Sequence, residues 1–424
     1  MAVPAIDGFK FVASEPYAEE GYPHEEWARL RRESPVHRCE PQGWPAFWAI
    51  TTHKDICEIS KQPQKFLSEP GIVLPDNLAL AAIERDGGAF DQMQTIITMD
   101  PPKHRKFRKV ASPYFTPRSL KRLTGIVEQS ADDLVASLVE RADANGVGEC
   151  DFVTDVAAKH PLRILSTILG VPREDEPFIL RVTNQLFGGD DPEFARKEEN
   201  RGDGFRALAI EFFQYFAKIA KSRRDTPVDD LAGLIANAAI DGEPMGDVET
   251  FGYYLITFTA GHETTRNSIS GGLLALIENP EESEKLRRDP DGMCASAVEE
   301  IVRWTTPVNY MMRTAACDYT LNGSEIRKGD RLILFYASAN RDEAVFDDPF
   351  SFRVDRSPNP HLGFGIGEHF CLGAHLARAS QRALFRKLIP RLEELELAGE
   401  PERLASSFVA GVKHLPIRYR IASA

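Results

Sequence analysis

The sequence lacks the features of a membrane-embedded or nucleic-acid-binding protein. It has no run of about eighteen consecutive apolar residues, which a transmembrane helix needs. Charge and proline interrupt the segment MAVPAIDGFKFVASEPYAEE, so we expect neither a signal peptide nor a membrane anchor there. Basic residues are in the minority, with 51 Lys and Arg against 64 Asp and Glu. The resulting net charge of -13 argues against nucleic acid as a partner.

Cysteine is scarce and scattered along the chain. The six cysteines include no CxxC pair, which favours reduced thiols in a cytoplasmic protein over a disulfide framework. Their positions are Cys39, Cys57, Cys150, Cys294, Cys317 and Cys371. The sequence therefore predicts a cytoplasmic protein whose cysteines act singly, if they act at all.

We expect one domain over residues 1–424, mainly α-helical with a small β-rich lobe. Hydrophobic residues make up 42% of the chain and charged residues 27%, which is typical of a globular protein with a large core. No Pro-, Gly- or Ser-rich linker and no repeat divides the chain. We also expect a monomer. The β-rich part is predicted at about residues 1–70, 305–360 and 400–424, and the helical part at 95–300 and 361–395.

One cysteine stands in a glycine-punctuated segment, HLGFGIGEHFCLG, which runs from His361 to Gly373. Its glycines let the backbone turn through positive φ and come close to a flat macrocycle. Backbone N–H groups in such a turn can face a sulfur atom and hold it as thiolate. An isolated cysteine is most often a buried free thiol. The spacing around Cys371 therefore carries the prediction that this residue binds a metal. The residues that define the spacing are Phe364, Gly365, Gly367, His369, Cys371 and Gly373.

The segment resembles the cysteine-ligand loop of the cytochrome P-450 (heme-thiolate) monooxygenases. The resemblance extends from about residue 20 to the C-terminus and implies a fold in which a long helix crosses the molecule over a buried heme b. It implies that Cys371 binds the heme iron, where a thiolate favours O–O cleavage. It further implies insertion of one oxygen atom from O2 into a C–H bond of a hydrophobic small molecule. Electrons would come from NAD(P)H through a separate acidic ferredoxin, or a flavodoxin, and its reductase.

The segment from Gly246 to Pro280 predicts the long helix, and AGHETT lies at its middle. Ala260 and Gly261 are small enough to let a flat group approach the backbone. In AGHETT, Thr264 can bond to a carbonyl or a ligand, and Glu263 can relay protons. An isolated Glu-Thr pair in a helix is usually on the surface. The resemblance implies that Glu263 and Thr264 deliver protons during oxygen activation.

The segment after Pro101 and Pro102 predicts a helix in which His104 and Arg108 share one face. Two donors at this spacing can hold one anionic group, although a solvated basic face is the common alternative. The resemblance implies that they bind a heme propionate, that Arg313 binds the second, and that two histidines of the cysteine loop assist. The cofactor-binding residues implied in this way are His104, Arg108, Arg313, His361, Phe364, His369, Ala260 and Gly261.

The same segment is basic within an acidic protein. A positive patch beside the cofactor would steer an acidic electron-transfer partner, whereas the alternative is an ordinary charged surface. The basic residues are Lys103, Arg105, Lys106, Lys109, Arg118, Lys121 and Arg122.

Glu300 and Arg303 lie three residues apart in EEIVRW, on one face of a predicted helix. Such a pair is usually a weak surface salt bridge. The resemblance implies instead a buried structural pair that a further arginine joins, and Arg353 and Arg356 are both candidates.

Several segments could line a substrate pocket. The region from residue 70 to 90 would cover the substrate in the resembled family, and the chain after Pro307 would pass above the heme. Asn309 and Tyr310 would supply hydrogen bonds in an otherwise apolar pocket, with an ordinary core strand as the alternative. The candidates are Ile72, Val73, Leu74, Phe90, Val308, Asn309, Tyr310, Met311, Phe408 and Val409.

Three hypotheses follow. The leading one is a monooxygenase similar to the bacterial terpene- and steroid-oxidising branches of the family. A heme-thiolate enzyme that uses peroxide directly is the first alternative, and the presence of Glu263 and Thr264 counts against it. The second alternative is a heme-binding sensor or carrier without turnover, in which these two residues would have no purpose.

Overall fold

The computed structural model describes residues 6–85, 95–195 and 201–422. Helices dominate, as the sequence predicts. The α-helices are Phe9–Val12, Glu15–Glu19, His24–Glu33, His53–Ser60, Asn77–Arg85, Lys103–Ala111, Pro117–Leu120, Thr124–Arg141, Lys159–Ile168, Glu176–Phe187, Arg201–Asp225, Leu231–Ala236, Asp247–Glu278, Pro280–Arg288, Pro290–Thr305, Tyr336–Ala339 and Ala374–Leu388. Shorter helical turns occupy Lys121–Leu123, Val153–Ala157, Arg173–Asp175, Gly367–His369 and Ile389–Arg391. Among the described residues, no helix is both long enough and apolar enough to cross a membrane.

The strands form one larger sheet and several small ones. The strands are β1 (Val36–Cys39), β2 (Phe47–Ile50), β3 (Phe66–Leu67), β4 (Val147–Asp151), β5 (Ala239–Ile240), β6 (Glu243–Pro244), β7 (Tyr310–Ala315), β8 (Tyr319–Leu321), β9 (Ser324–Ile326), β10 (Arg331–Phe335), β11 (Leu392–Leu397), β12 (Glu402–Arg403), β13 (Val412–His414) and β14 (Pro416–Ile421). The five-stranded sheet has the order β1-β2-β10-β7-β3, with β10 parallel to β2 and antiparallel to β7. It draws only on the segments before residue 70 and between 305 and 360, where a β-rich lobe is predicted.

A second sheet departs from the predicted pattern. The order β11-β14-β4 brings the C-terminal strand between two distant segments, and β4 interrupts a region that the sequence predicts to be helical throughout. The last two strands of the chain, β13 and β14, do not pair with each other. Instead β13 pairs with β12, and β14 pairs with β11 and β4. Short strands show too few alternations of apolar and polar residues to be recognised in the sequence. Their pairing is also hard to predict, because the partner strands lie far away along the chain.

The central helix, Asp247–Glu278, has 32 residues and is therefore about 48 Å long. Gly246 is its N-cap, so Asp247 lies in the first turn and does not cap the helix. Large apolar side chains of its first half, including Phe251 and Tyr254, are buried in the main core. The helix packs against Lys159–Ile168 and Pro290–Thr305, which confirms the predicted buried helix.

Glu300 and Arg303 are completely buried and form a bidentate pair, with both nitrogen–oxygen distances at 2.7 Å. Arg356 adds its Nε at 3.1 Å from both carboxylate oxygens of Glu300. Arg353 contributes only its backbone N–H, and its guanidinium lies 3.6 Å from Asp355. The structure thus places Arg356 as the third member of the buried network.

Candidate active site

A cavity lies between the middle of the central helix and the loop that carries Cys371. Of the predicted site residues, the structure brings eleven to its wall and leaves eight elsewhere. The eleven are His104, Arg108, Ala260, Gly261, Thr264, Val308, Met311, Arg313, Phe364, His369 and Cys371. The eight are Ile72, Val73, Glu263, Asn309, Tyr310, His361, Phe408 and Val409. Phe90 lies outside the described residues, and Leu74 is buried in a separate core cluster.

The cysteine loop is fixed by its own backbone. Gly365 and Gly367 have φ of 67° and 78°, a region that side chains disfavour. At Gly367 a Cβ atom would also lie 2.4 Å from the carbonyl oxygen of Ser60, so only glycine fits there. The N–H of Cys371 donates to the carbonyl of Phe364 at 2.9 Å, which closes the loop. The loop therefore presents the sulfur atom in one position.

Two opposing effects act on the Cys371 thiol. Burial raises its pKa, whereas the backbone N–H of Gly373, the guanidinium groups of Arg108 and Arg378, and the N–H of Ala374 lower it. The following helix begins at Ala374, three residues after the cysteine, and its N-terminus favours a negative charge nearby. The net effect is a raised pKa, because burial outweighs the donors. The donors are nevertheless placed to stabilise the thiolate form, which a bound metal ion would favour further.

Four donors face the cavity beside this loop, and we call them the donor cluster: His104, Arg108, Arg313 and His369. His104 is buried, and neither of its ring nitrogens has a hydrogen-bond partner among the described residues. Its ring centroid lies 4.2 Å from that of His369, whose Nε2 is 3.1 Å from Ser68 Oγ. Burial, followed by the charge of Arg313, lowers the pKa of His369 to about 3. Two guanidinium groups beside a histidine without a hydrogen-bond partner in the described part of the chain fit an anionic ligand.

His361 does not belong to the donor cluster. Its Nε2 lies 3.0 Å from Glu299 Oε2, and its Nδ1 accepts the N–H of Gly363 at 3.2 Å. Arg378 holds the same Glu299 carboxylate at 2.6 Å. The predicted propionate contact is therefore wrong for His361, because a carboxylate on the neighbouring helix already binds its ring.

On the opposite wall, the central helix presents its small residues and one hydroxyl. Ala260 is exposed to the cavity, and Thr264 lies one turn further along the helix. The Thr264 hydroxyl donates to the Ala260 carbonyl at 2.7 Å, so it must turn to reach a ligand. Gly261 is tight on its other side, where an added Cβ would lie 3.1 Å from Leu165.

Glu263 points away from the cavity. Successive residues of a helix are rotated by about 100°, so Glu263 and Thr264 cannot face the same wall. The Glu263 carboxylate forms a buried salt bridge with Arg266, which also donates to Asn184 Oδ1 at 3.0 Å. Burial raises the pKa of Glu263, and the charge of Arg266 opposes that effect. The acid is thus adjacent to the cavity in sequence but separated from it by the helix.

Known proteins share this arrangement along nearly the whole chain. A model of the cytochrome P-450 family matches residues 83–407. Cytochrome P-450-terp of a Pseudomonas species is 37% identical over 406 residues, covering 94% of this chain and 93% of the relative. The chain belongs to the cytochrome P-450 family. The steroid C26-monooxygenase of Mycolicibacterium smegmatis is 36% identical over 412 residues, covering 94% of this chain and 91% of that protein.

A solved structure confirms the cytochrome P-450 fold. The crystal structure of CYP108D1 from Novosphingobium aromaticivorans superposes with a TM-score of 0.88 at 39% identity, covering 99% of each chain. Relatives named as a monooxygenase and a hydroxylase match 94% and 93% of this chain. The chain is therefore a cytochrome P-450 monooxygenase, as the cysteine loop predicts.

The residues around the cavity of this cytochrome P-450 fit a heme. Cys371 offers a sulfur ligand for the iron, and Ala260 and Gly261 leave room for a flat ring. The donor cluster offers partners for two carboxylates, and one unsatisfied nitrogen of His104 is explained if a carboxylate accepts its N–H, while Nδ1 lies 3.8 Å from Glu368 Oε1. The cytochrome P-450 family implies heme iron, and the donor set agrees.

The alternation of side chains along strand β7 determines which of the predicted residues in this segment line the cavity. Side chains alternate between the two faces of a strand, so Met311 and Arg313 face the cavity while Tyr310 and Met312 face the core. Just before the strand, Asn309 is buried and donates to Tyr17 and to the Ser407 carbonyl at 2.8 and 2.9 Å. The predicted pocket role of Asn309 and Tyr310 is therefore wrong, and the core-strand alternative holds for both.

Four further residues predicted to line the pocket lie beside it instead. Val409 is buried and forms a β-bridge with Val308, so it supports the wall without lining it. Phe408 packs its ring on Tyr310 at 5.5 Å between centroids. Ile72 accepts a backbone hydrogen bond from Met312, and Val73 is exposed. These four residues are thus corrected from pocket contacts to neighbours of the pocket.

The sequence reasoning missed most of the apolar wall. Ile256 and Thr257 both lie about two turns before Thr264 on the same face of the central helix, and helical periodicity could have found them. Other lining residues come from separate segments and carry no local signal. They are Ile96, Ile97, Phe115, Pro161, Ile164 and Leu165.

Proposed function

We propose that this cytochrome P-450 inserts one oxygen atom from O2 into a C–H bond of a neutral, apolar molecule of terpenoid or steroid type. One observation carries the proposal: a single cavity is bounded by Cys371 on one wall and by Thr264 on the other. The relatives named cytochrome P-450-terp and steroid C26-monooxygenase support the substrate class.

Each wall of the cavity has its own task. Heme, when bound, supplies the activation of O2 at its iron. Cys371 would bind the iron, and the donor cluster would hold the propionates and so orient the ring. Thr264 would rotate its hydroxyl from the Ala260 carbonyl toward the ligand and pass a proton. Glu263, at the preceding position of the helix, would resupply that proton after it has been protonated and its side chain has turned toward the cavity, and its carboxylate would then return to the salt bridge with Arg266.

The composition of the pocket supports a neutral substrate. Among the described lining residues, the charged and titratable side chains are the donor cluster, Cys371 and Tyr336, and burial raises the pKa of Tyr336 and so keeps its phenol neutral. Away from them the wall consists of side chains such as Ile96, Ile256, Val308 and Met311. The hydroxyl of Thr257 already donates to the Tyr253 carbonyl at 2.8 Å. A charged substrate group would therefore lose its hydration without gaining a partner.

The basic segment near residue 105 supports an acidic redox partner. Arg105 bonds to Glu368, and Arg108 donates to the Phe370 carbonyl, so this helix adjoins the cysteine loop. Several basic side chains of the segment remain exposed, including Lys109 and Arg118. We therefore include a separate acidic ferredoxin, or a flavodoxin, and its reductase in the proposal, because opposite charges would steer it toward the buried sulfur.

Spectroscopy of the heme-loaded protein tests the proposal. Reduction under carbon monoxide should give a Soret band at the thiolate position, and neutral terpenes and steroids should shift the iron from low to high spin. Products should form with NAD(P)H, ferredoxin and reductase. Turnover with hydrogen peroxide alone would favour the peroxide-using alternative, and ligand binding without any product would favour a sensor or carrier. A preference for charged substrates would contradict the neutral pocket.

A further inference from the structure

Two buried polar atoms face each other on the side of the central helix that points away from the cavity. His262 Nδ1 and Glu263 Oε2 are 3.8 Å apart, and their side chains are 0% and 1% exposed. Within the described part of the chain, neither atom has a hydrogen-bond partner. Unsatisfied polar atoms at this depth cost free energy, and two of them in contact call for an explanation.

The hydrogen bond on the other side of the ring fixes the tautomer of His262. Its Nε2 lies 3.0 Å from the carbonyl oxygen of Ala158, which can only accept, so Nε2 carries the hydrogen. Burial, followed by the charge of Arg266, lowers the pKa of His262 to about 3, so the ring is neutral. Nδ1 is then a lone-pair acceptor that points toward the Glu263 carboxyl group.

The carboxyl group of Glu263 has two unlike environments. Oε1 accepts from Arg266, which is itself held by Asn184 and Asn267. Oε2 faces the His262 acceptor. Arg266 favours the ionised carboxylate, whereas Nδ1 can bond only to a protonated Oε2. Among the described residues, Arg266 is the charged group that shifts the pKa of both His262 and Glu263. The acid is thus held between a group that favours loss of the proton and a group that favours its retention.

We propose that His262 is a positioning residue that holds a proton on Oε2 of Glu263. In the loaded state the Oε2–H group donates to His262 Nδ1, which requires the 3.8 Å separation of the two atoms to shorten to hydrogen-bonding distance. On delivery the protonated side chain turns toward the cavity, the O–H bond breaks, the proton passes to the Thr264 hydroxyl, and the carboxylate returns to its pair with Arg266. A proton from solvent then restores the O–H bond, and no electrons are transferred. The use of this proton in catalysis rests on the proposed function, but the protonated pair itself does not.

The alternative is that His262 serves only to link the central helix to the Ala158 carbonyl. Two substitutions separate these roles. His262→Gln can keep a donor at the position of Nε2 but places no acceptor at that of Nδ1. His262→Asn can keep an acceptor at the position of Nδ1 but cannot reach Ala158. His160→Gln is the matched control, because this buried histidine already bonds through both nitrogens, to Ser130 and Ser380.

Infrared difference spectroscopy across a pH titration of the ferric, heme-loaded protein provides the test. We expect a protonated-carboxyl band that Glu263→Gln removes and that His160→Gln leaves unchanged. His262→Gln should raise its frequency and lower its titration midpoint by about one pH unit, because the protonated form loses its acceptor. His262→Asn should keep the midpoint close to that of the wild type.

Two results would overturn the inference: no carboxyl band that depends on Glu263, or a band that His262→Gln leaves unchanged while His262→Asn alters it. The second result would show that only the Ala158 link matters. The readout needs no substrate or electron donor. A positive infrared result with no product from any substrate would therefore reject the proposed function and leave the proton-holding pair intact.

Discussion

The two walls of the cavity are built in opposite ways. The wall that carries Cys371 is a short loop whose backbone bonds to itself and whose glycines exclude side chains at Gly367. The wall that would face the substrate is assembled from apolar side chains of separate segments, among them Ile97, Leu165 and Met311. Hydrogen bonds fix positions, whereas apolar packing tolerates exchange of side chains of similar volume.

We expect the loop wall to serve the chemical step and the apolar wall to determine which substrate binds. A residue of the loop side can be changed only at the expense of the cofactor or the fold. A residue of the apolar wall can be changed at a small cost, and the change affects which molecule binds. The following predictions test this contrast, and each pairs a site residue with a neighbour of the same type.

The largest effect is expected at the cysteine. Cys371→Ser should remove the thiolate Soret band under carbon monoxide and reduce product formation below detection, because an alcohol is a poor ligand for the iron. Cys57→Ser, in a half-buried free cysteine elsewhere, should leave both unchanged. Absorption spectra and product analysis measure the outcome. A thiolate band that persists in Cys371→Ser would transfer the ligand role to another cysteine.

The second effect concerns stability. Arg303→Ala removes the bidentate partner of the buried Glu300 carboxylate. This should lower the free energy of unfolding by about 3–5 kcal/mol. Arg353→Ala removes only a half-exposed contact to Asp355 and should cost less than about 1 kcal/mol. Urea denaturation of the heme-loaded variants compares the two. Equal losses would show that the Arg353 side chain contributes to the buried network, which would contradict its exclusion here.

The sequence predicts the elements that depend on nearby residues. The residues of the cysteine loop, of AGHETT and of the Glu300–Arg303 pair are each close together in the sequence. Their spacing alone therefore indicates which of them share a turn or a helix face. The expected long, buried helix is found at Asp247–Glu278 for the same reason. Local geometry is set largely by local sequence, and these motifs carry the resemblance that implies the cytochrome P-450 fold.

What the sequence does not predict depends on distant contacts. Arg356, and not Arg353, reaches Glu300 because of the path that the loop takes around this carboxylate. His361 bonds to Glu299, which lies on a neighbouring helix. The strand Val147–Asp151 exists because the C-terminal strand pairs with it. The position of Glu263 behind the helix could have been predicted from the helical period alone.

A third prediction tests the donor cluster. His104→Leu should speed the transfer of heme to excess apomyoglobin about 10–100-fold, because a hydrogen bond to a charged group contributes about 1.5–3 kcal/mol. His361→Leu should leave the transfer rate unchanged, because this ring bonds to Glu299 and not to the cavity. Absorbance at the Soret band follows the transfer. An equal increase in both variants would show that any histidine near the loop acts through stability alone.

The smallest effect is expected on the apolar wall, where two neighbouring methionines differ only in the face of the strand. Met311→Ala should weaken binding of an apolar ligand by about tenfold, since lost methylene contacts contribute about 1–3 kcal/mol. Met312→Ala should leave that affinity unchanged and instead lower the free energy of unfolding, because its side chain is 3% exposed in the core. Spin-shift titration measures the affinity, and urea denaturation measures the stability. If both variants bind equally weakly, the alternation of the strand does not divide pocket from core, and selectivity must come from other segments of the wall.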